Sequence, residues 1–155
     1  MEIAMTEIFY DRKALVELFP HGEQAQLLDS AKIDSAFINK SWGYKEIRAD
    51  NRFLAGHFPN KPIHPGYPLF EHAYLTALLL VKINMPEIEG IPMIAGGGGY
   101  KFCRPIFIGD NIEFELTFIE RPSSNVFVFD AIAKNQRGKK VFENSGIRGV
   151  NNTRI

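Results

Sequence analysis

The stretch PLFEHAYLTALLLV, residues 68–81, carries apolar side chains on nearly every side when it is placed at helical spacing. It opens with Pro68, whose fixed φ and missing N–H suit the first position of a helix. A helix without a polar face is surrounded by protein rather than lying on a surface. The stretch therefore predicts a long, central, buried helix over residues 68–81.

The sequence that follows changes to the two-residue period of β-strands. Four apolar residues alternate with polar ones, at Ile112, Phe114, Leu116 and Phe118. This alternation is typical of a strand with one face on a core. Two further strands are predicted after short turns, over residues 126–134 and 139–150. Together the three predicted strands make an antiparallel meander.

The sequence before the central helix predicts shorter elements. Residues 11–19 have apolar positions at helical spacing, and Pro20 with Gly22 supplies a stop, so a short helix is expected there. Extended segments are predicted in the second half of residues 26–40 and over residues 41–48. A long apolar helix combined with an antiparallel meander is an α+β pattern in which the sheet covers the helix.

Four consecutive glycines, Gly96–Gly99, precede another β-like run at residues 101–107. They lack the spacing and the lysine of a phosphate-binding loop, so they do not indicate a nucleotide site. Glycine in a strand is more typical of a bulge or of close packing against the backbone.

Composition limits the class of protein. The 155 residues are 45% apolar, which predicts a single globular domain over residues 1–155. Eighteen basic residues balance eighteen acidic ones, so no general attraction for nucleic acid or anionic membrane is expected. Cys103 is the only cysteine and is expected to be buried; it allows neither an internal disulfide nor a multi-cysteine zinc site. Without a signal-like start or a membrane-length apolar run, a cytoplasmic protein is predicted.

The segment GHFPNKPIHPGYPLFE, residues 56–71, leads into the central helix and concentrates chemically active side chains. Its two histidines and the carboxylate of Glu71, with His72 directly after the segment, raise the question of a metal site, but their spacing matches no recognised metal motif. An acid–base pair formed by His57 and Glu71 fits better, because a base and an acid can act on opposite sides of one substrate. Burial in the first turn of an apolar helix is expected to raise the Glu71 pKa. The alternative is a carboxylate that merely interacts with the helix N-terminus.

The backbone at the start of the helix is a third candidate component. If the helix begins at Pro68, the amides of Gly66 and Tyr67 lie at its positive end, and Gly66 has no Cβ to block a ligand. Such donors can polarise a carbonyl and stabilise an enolate-like charge. The alternative is an ordinary Pro-Gly turn.

Three successive blocks, LFPHGEQAQLLDSAKI, NRFLAGHFPNKPIHPGYPLFEHA and KFCRPIFIGDNIEFEL, resemble the FabZ-type 3-hydroxyacyl-[acyl-carrier-protein] dehydratases from about Leu18 onward. The motif GHFP followed by K-P-I-x-P-G-x-x-x-x-E is specific. The resemblance implies a hot-dog fold, in which a curved antiparallel sheet wraps a long central helix. It also implies loss of water from a 3-hydroxyacyl thioester to give a trans-2-enoyl product, in fatty-acid or related acyl-chain biosynthesis.

The same resemblance implies roles for matching residues. His57 would remove the proton from C2, Glu71 would help the C3 hydroxyl leave, and the Gly66 and Tyr67 amides would bind the thioester carbonyl. The two side chains would come from different subunits of a homodimer, and dimers of this family often assemble as a trimer of dimers. Acyl carrier protein would be the partner. Neither a cofactor nor a metal is implied.

The chain departs from the family pattern around the acyl site. Tyr67 replaces a valine, His72 a small residue and Leu75 a glutamine, while His64 occupies a usually apolar place. Tyr67 is expected to narrow the acyl tunnel, and His72 to form hydrogen bonds in the core or at an interface. Two alternatives therefore stay open: a hot-dog acyl thioesterase, which would leave His57 without a role, and a non-catalytic acyl-binding subunit.

Other polar residues receive structural interpretations. His21 is expected to fix a turn between helix and strand, and Arg104 to enter a hydrogen-bond or ion-pair network. Five basic residues could form a docking patch for an acidic carrier protein, but a solvated surface is the favoured interpretation. The residues of that patch are Lys45, Arg48, Arg52, Lys61 and Lys101.

Overall fold

A computed structural model describes residues 6–152 of the chain. Within that range the α-helices are α1 (Arg12–Leu18) and α2 (Pro68–Asn84). The first strands are β1 (Glu7–Asp11), β2 (Ser30–Asp34), β3 (Lys40–Glu46), β4 (Ile63–His64) and β5 (Ile91–Gly96). The remaining strands are β6 (Tyr100–Phe102), β7 (Ile106–Phe107), β8 (Asn111–Ser123), β9 (Val126–Lys134) and β10 (Lys140–Asn152).

One large antiparallel sheet holds most of the strands, in the order β1-β2-β3-β8-β9-β10-β5, and β6 pairs with β10 beside β5. The pair β4–β7 forms a separate two-stranded ribbon. Register shifts along β8–β9 and β9–β10 mark bulges in the longest strands. Because bulges bend and twist a strand, the sheet curves around the helix.

Helix α2 lies in the concave side of this sheet, and most of its side chains are buried. The helix approaches β3 closely because Gly43 has no side chain: a Cβ there would lie 2.1 Å from Thr76 Oγ1. Next to this contact, Ser41 Oγ donates a hydrogen bond of 2.7 Å to the Thr76 carbonyl. The apolar helix predicted from the sequence is thus confirmed as the centre of the core.

The glycine run interrupts the edge of the large sheet. Strands β5 and β6 pair with different parts of β10, and Gly97–Gly99 detour between them. The detour is held by backbone hydrogen bonds from Gly98 to Ser145 and from Ser145 to Gly99. A Cβ at Gly98 would lie 2.5 Å from the Ser145 carbonyl oxygen, so the close approach requires glycine there. The interpretation as a bulge or close-packing site is confirmed.

The α+β class, with one long helix against a large antiparallel sheet, agrees with the sequence prediction. Two local expectations were wrong. Residues 101–107 do not form one strand, because β6 joins the large sheet while β7 pairs with β4, with the turn at Cys103–Pro105 between them. Cys103 is half-buried rather than buried, and it lies at the turn between β6 and β7.

Candidate active site

His57 lies in the loop between a 3-10 turn at Arg52–Leu54 and β4. Its backbone N–H donates to the Leu54 carbonyl, and its carbonyl accepts from the Ile63 N–H. The ring Nδ1 lies 2.6 Å from the Ile63 carbonyl oxygen. Since a carbonyl can only accept, Nδ1 must carry a hydrogen, and in the neutral ring the lone pair is then on Nε2. The bond therefore orients the half-buried ring, with Nε2 left to contact a ligand.

Glu71 lies in the first turn of α2 and is half-buried. Burial raises the pKa of its carboxyl group above the ordinary value, which favours the protonated form. This direction agrees with the expectation from the sequence. A protonated carboxyl group can donate a hydrogen to a leaving hydroxyl group.

At the start of α2, two backbone donors have no acceptor among residues 6–152. The Gly66 carbonyl accepts from the Leu69 N–H, but neither the Gly66 nor the Tyr67 N–H donates to another residue within 6–152. Gly66 packs so closely on an aromatic ring that a Cβ would lie 2.7–2.9 Å from three Phe102 atoms. The free amides lie at the positive end of a 17-residue helix, a favourable place for a developing negative charge.

His21 lies beside the candidate acid, a contact that the sequence interpretation did not predict. Its Nε2 lies 4.0 Å from Glu71 Oε1, although the residues are far apart in the chain. Burial lowers the His21 pKa, and the nearby positive charge of Lys82 lowers it further by a smaller amount. The neutral ring is therefore favoured beside Glu71. The LFPHG block marked His21 as part of a motif, but nothing local to that block indicated its contact with α2.

His57 and Glu71 have different partners within residues 6–152. Among the hydrogen bonds and ion pairs of residues 6–152, none joins them: His57 bonds Ile63 and stacks on Phe58, whereas Glu71 faces His21. The candidate base and the candidate acid therefore make no direct bond within residues 6–152.

The other two histidines of the motif are buried in the core. His64 Nδ1 donates to the Pro65 carbonyl, and His72 Nδ1 donates to the Pro68 carbonyl. The two rings meet edge to face at 6.0 Å, and His72 stacks on Phe114 at 5.3 Å. Burial lowers the His72 pKa to about 3, so its ring is neutral. Within 6–152, no group of three or more histidine, cysteine or carboxylate side chains is arranged to hold a metal ion.

The buried His72 makes stability depend on pH. Because the folded state binds this proton only near pH 3 and an ordinary histidine binds it near 6.5, the unfolded state holds more protons between these values. The free energy of unfolding is therefore expected to fall on acidification through this range, by about 1.4 kcal/mol per pH unit at most. Glu71, with its raised pKa, acts in the opposite direction.

Urea unfolding of wild type and His72→Gln at several pH values measures this contribution. The wild type is expected to lose about 1.6 kcal/mol more than the variant between about pH 6.5 and 5, since the variant lacks the titrating ring and keeps Glu71. Parallel pH profiles for the two proteins would contradict the assignment.

The five basic residues considered for a docking patch do not all line the same surface cavity. Lys45, Arg48 and Arg52 line one surface cavity of about 340 Å³, which Lys61 and Lys101 do not reach. Lys45 pairs with Asp29 at 3.2 Å, Arg48 pairs with Glu46 at 3.1 Å, and Arg52 donates to the Gln24 carbonyl. These partners weaken the local positive charge. Elsewhere, Arg104 donates to the Lys140 carbonyl at 2.7 Å, in agreement with its structural interpretation.

A solved hot-dog protein shares this architecture: a hypothetical thioesterase from Streptococcus pneumoniae, solved with coenzyme A. It aligns with a TM-score of 0.58 and 14% identity, covering 80% of this chain and 88% of that one. At this identity the likeness establishes the fold alone. The long helix wrapped by its large antiparallel sheet thus defines the chain as a hot-dog-fold protein.

Sequence comparisons identify the family. Residues 29–145 match the FabA-like domain. The chain is similar to the 3-hydroxyacyl-[acyl-carrier-protein] dehydratase FabZ of Gluconacetobacter diazotrophicus, at 31% identity over 80% of this chain and 77% of the relative. It is also similar to that of Acidiphilium cryptum, at 34% identity over 80% and 75%. The chain belongs to the FabA-like family as a FabZ-type member, and its enzyme class is that of a dehydratase, a hydro-lyase.

No helix formed by residues 6–152 has the length and apolar character needed to cross a membrane.

Proposed function

We propose that this protein removes water from a 3-hydroxyacyl thioester to give a trans-2-enoyl thioester. The observation that carries the proposal is the His57 tautomer, because the bond to Ile63 leaves the Nε2 lone pair free to act as a base. Glu71 is the proposed acid, and the Gly66 and Tyr67 amides are the proposed binding site of the thioester carbonyl.

The proposed reaction begins at C2. The Gly66 and Tyr67 amides hydrogen-bond the thioester carbonyl, which makes the C2 proton more acidic and stabilises the enolate-like charge. His57 Nε2 takes the C2 proton while Nδ1–H stays bonded to the Ile63 carbonyl. The developing imidazolium therefore keeps a carbonyl partner throughout the step.

The reaction ends at C3. Glu71 donates its proton to the C3 hydroxyl as the C3–O bond breaks, and the electron pair from the C2–H bond forms the double bond. The products are water and the enoyl thioester, with His57 protonated and Glu71 ionised. Transfer of the His57 proton to Glu71 through solvent restores the starting state, so the cycle needs neither a metal nor a redox cofactor.

A homodimer is part of this proposal. Strand β5 is an edge of the large sheet, and apolar side chains on it and on β6 are exposed in the single chain. These side chains are Ile91, Met93, Ile94, Tyr100 and Phe102. An open apolar edge of this kind is a natural place for a second copy to bind. In such a dimer, His57 of one subunit would meet Glu71 of the other; further assembly as a trimer of dimers belongs to the same proposal.

The substrate carrier and cellular setting are also proposed. The FabZ relatives are named for substrates on acyl carrier protein, which supports the same carrier here. One continuous core packs α2 against the strands of the large sheet, which supports a single domain over residues 1–155. With one cysteine in the chain, a cytoplasmic location in fatty-acid or related acyl-chain biosynthesis fits the composition.

Product analysis tests the reaction. Purified protein incubated with 3-hydroxyacyl thioesters on acyl carrier protein is expected to produce the enoyl absorbance, with no free thiol beyond the blank. Thiol release without enoyl formation would show that the protein is a thioesterase rather than a dehydratase. Binding of the thioester without any turnover would show that the protein is a non-catalytic acyl-binding subunit.

A further inference from the structure

A groove beside the first turn of α2 differs in character from the rest of the candidate site. It is a cavity of about 260 Å³ whose walls are mainly apolar. Its lining consists of Phe70, Ile94, Tyr100, Ile147, the backbone of Gly96–Gly98, and Asn144. The groove therefore offers a ligand an apolar surface and one polar side chain.

Asn144 carries a hydrogen-bond acceptor that has no partner. Its side chain is only 2% exposed, and its Nδ2 donates to the Gly99 carbonyl at 3.0 Å and to the Gly98 carbonyl at 3.4 Å. Because carbonyls accept only, these bonds fix which end of the amide is the oxygen. Within residues 6–152, no donor bonds to Asn144 Oδ1. A Cβ at Gly97 would lie 3.1 Å from this oxygen and 3.3 Å from Nδ2, so the amide packs directly against the glycine lining of the groove.

The unpartnered oxygen is costly unless a ligand uses it. A buried acceptor without a donor costs about 1–3 kcal/mol, and an apolar side chain at residue 144 would avoid that cost. The oxygen is therefore placed to accept a hydrogen bond from something that enters the groove.

The groove adjoins the proposed catalytic groups. Phe70 directly precedes Glu71 in α2 and lines the groove. Its ring meets Tyr100 edge to face at 5.1 Å and Phe102 at 5.9 Å, and the Phe102 ring packs on Gly66. One layer of aromatic rings thus lies between the groove and the helix-start amides.

We propose that the groove binds the acyl tail of the substrate and selects a tail that is apolar except for one hydroxyl group, which donates to Asn144 Oδ1. This inference rests on the proposed function, which it extends to the class of acyl chain. An apolar cavity of about 150 Å³ holds benzene, so a ring fits in this groove. The edges of Phe70 and Tyr100 suit an aromatic ring. A phenolic tail is therefore the simplest probe.

The test measures binding without turnover. Unreactive amide analogues of acyl-pantetheine are made in pairs, ending in phenyl or in 4-hydroxyphenyl, over a series of linker lengths, and are titrated calorimetrically. At one linker length or more, the 4-hydroxyphenyl analogue is expected to bind wild type about tenfold more tightly than the phenyl analogue does. For Asn144→Ala the difference in affinity between the two analogues is expected to be less than about twofold. Ser145→Ala is the matched control, since it removes the neighbouring bond to the Gly99 carbonyl but does not line the groove. It is expected to keep the tenfold difference.

Three outcomes overturn the inference. The first is a difference below about twofold in wild type at every linker length, a comparison that needs no variant. The second is an unchanged hydroxyl preference in folded Asn144→Ala. The third is a combination of two results: Asn144→Ala weakens the dimer, and wild type shows no preference for the hydroxyl analogue. In that case a second copy of the chain, and not a ligand, supplies the donor to Asn144 Oδ1. Turnover of an aliphatic 3-hydroxyacyl thioester is assayed in parallel, so that failure of the proposed reaction is distinguished from failure of tail selection.

Discussion

Dehydration by His57→Ala is expected to be about a thousandfold slower than by wild type, because the variant lacks the base that removes the C2 proton. Positioned acid–base groups contribute about 10²–10⁴-fold to catalysis, and here the base is held by one bond to a backbone carbonyl. The loss is expected in kcat, with KM for the thioester nearly unchanged, since the helix-start amides are still present. Initial rates of enoyl formation over a range of substrate concentrations measure both constants.

Rescue by added imidazole separates a missing base from a damaged loop. The alanine leaves space for a small base, so imidazole is expected to restore part of the rate to His57→Ala and none to His57→Phe, in which the space is filled. Urea unfolding of both variants checks that the loop between the 3-10 turn and β4 still supports the fold. A rate within about threefold of wild type would exclude His57 as the base.

Glu71→Gln is expected to lower kcat by about 10²–10³-fold, because the amide has nearly the shape of the carboxyl group but cannot supply the proton to the C3 hydroxyl. If Glu71 served only to interact with the helix N-terminus, the variant would lose about 0.3–1 kcal/mol of stability and keep its rate. Steady-state rates and urea unfolding on the same preparations distinguish these cases. Glu71→Asp, which retains an acid on a shorter side chain, is expected to fall between wild type and Glu71→Gln.

Mixing the two inactive variants tests where the pair meets. If His57 and Glu71 of different subunits form one site, a mixed dimer of His57→Ala and Glu71→Gln has one intact site and one doubly altered site. Random exchange of subunits would then restore about a quarter of wild-type activity. No recovery after demonstrated exchange would contradict the shared site and would place the base and acid in the same subunit.

The central helix and strand of the fold could be predicted from the sequence because their hydrophobic patterns are local and periodic. The apolar run of α2 and the alternation from Ile112 to Phe118 follow directly from the residues, and both elements occur as predicted. The helix continues beyond its apolar run to Asn84, because Lys82 and Asn84 remain compatible with helix until Pro86 restricts the residue before it. The end of an apolar run is therefore a poor guide to the end of a helix.

The errors concern contacts between residues distant in sequence. Nothing in residues 101–107 indicates that their first part pairs with β10 and their last part with β4, so the turn at Cys103 was missed. The contact between His21 and Glu71 likewise depends on how the loop after α1 packs on α2. For the site, a motif identified the candidate groups, but the tautomer of His57 and the unpartnered oxygen of Asn144 needed coordinates.

The detour at Gly97–Gly99 also affects how the chain behaves before it finds a partner. A continuous strand from Ile91 to Phe102 would present a long row of unpaired backbone groups beside exposed apolar side chains, which is a template for aggregation. The detour divides that edge into a strand of six residues and one of three. Newly made subunits therefore expose only short edges to each other, and a substitution that straightened the glycine run would be expected to lower the yield of folded protein.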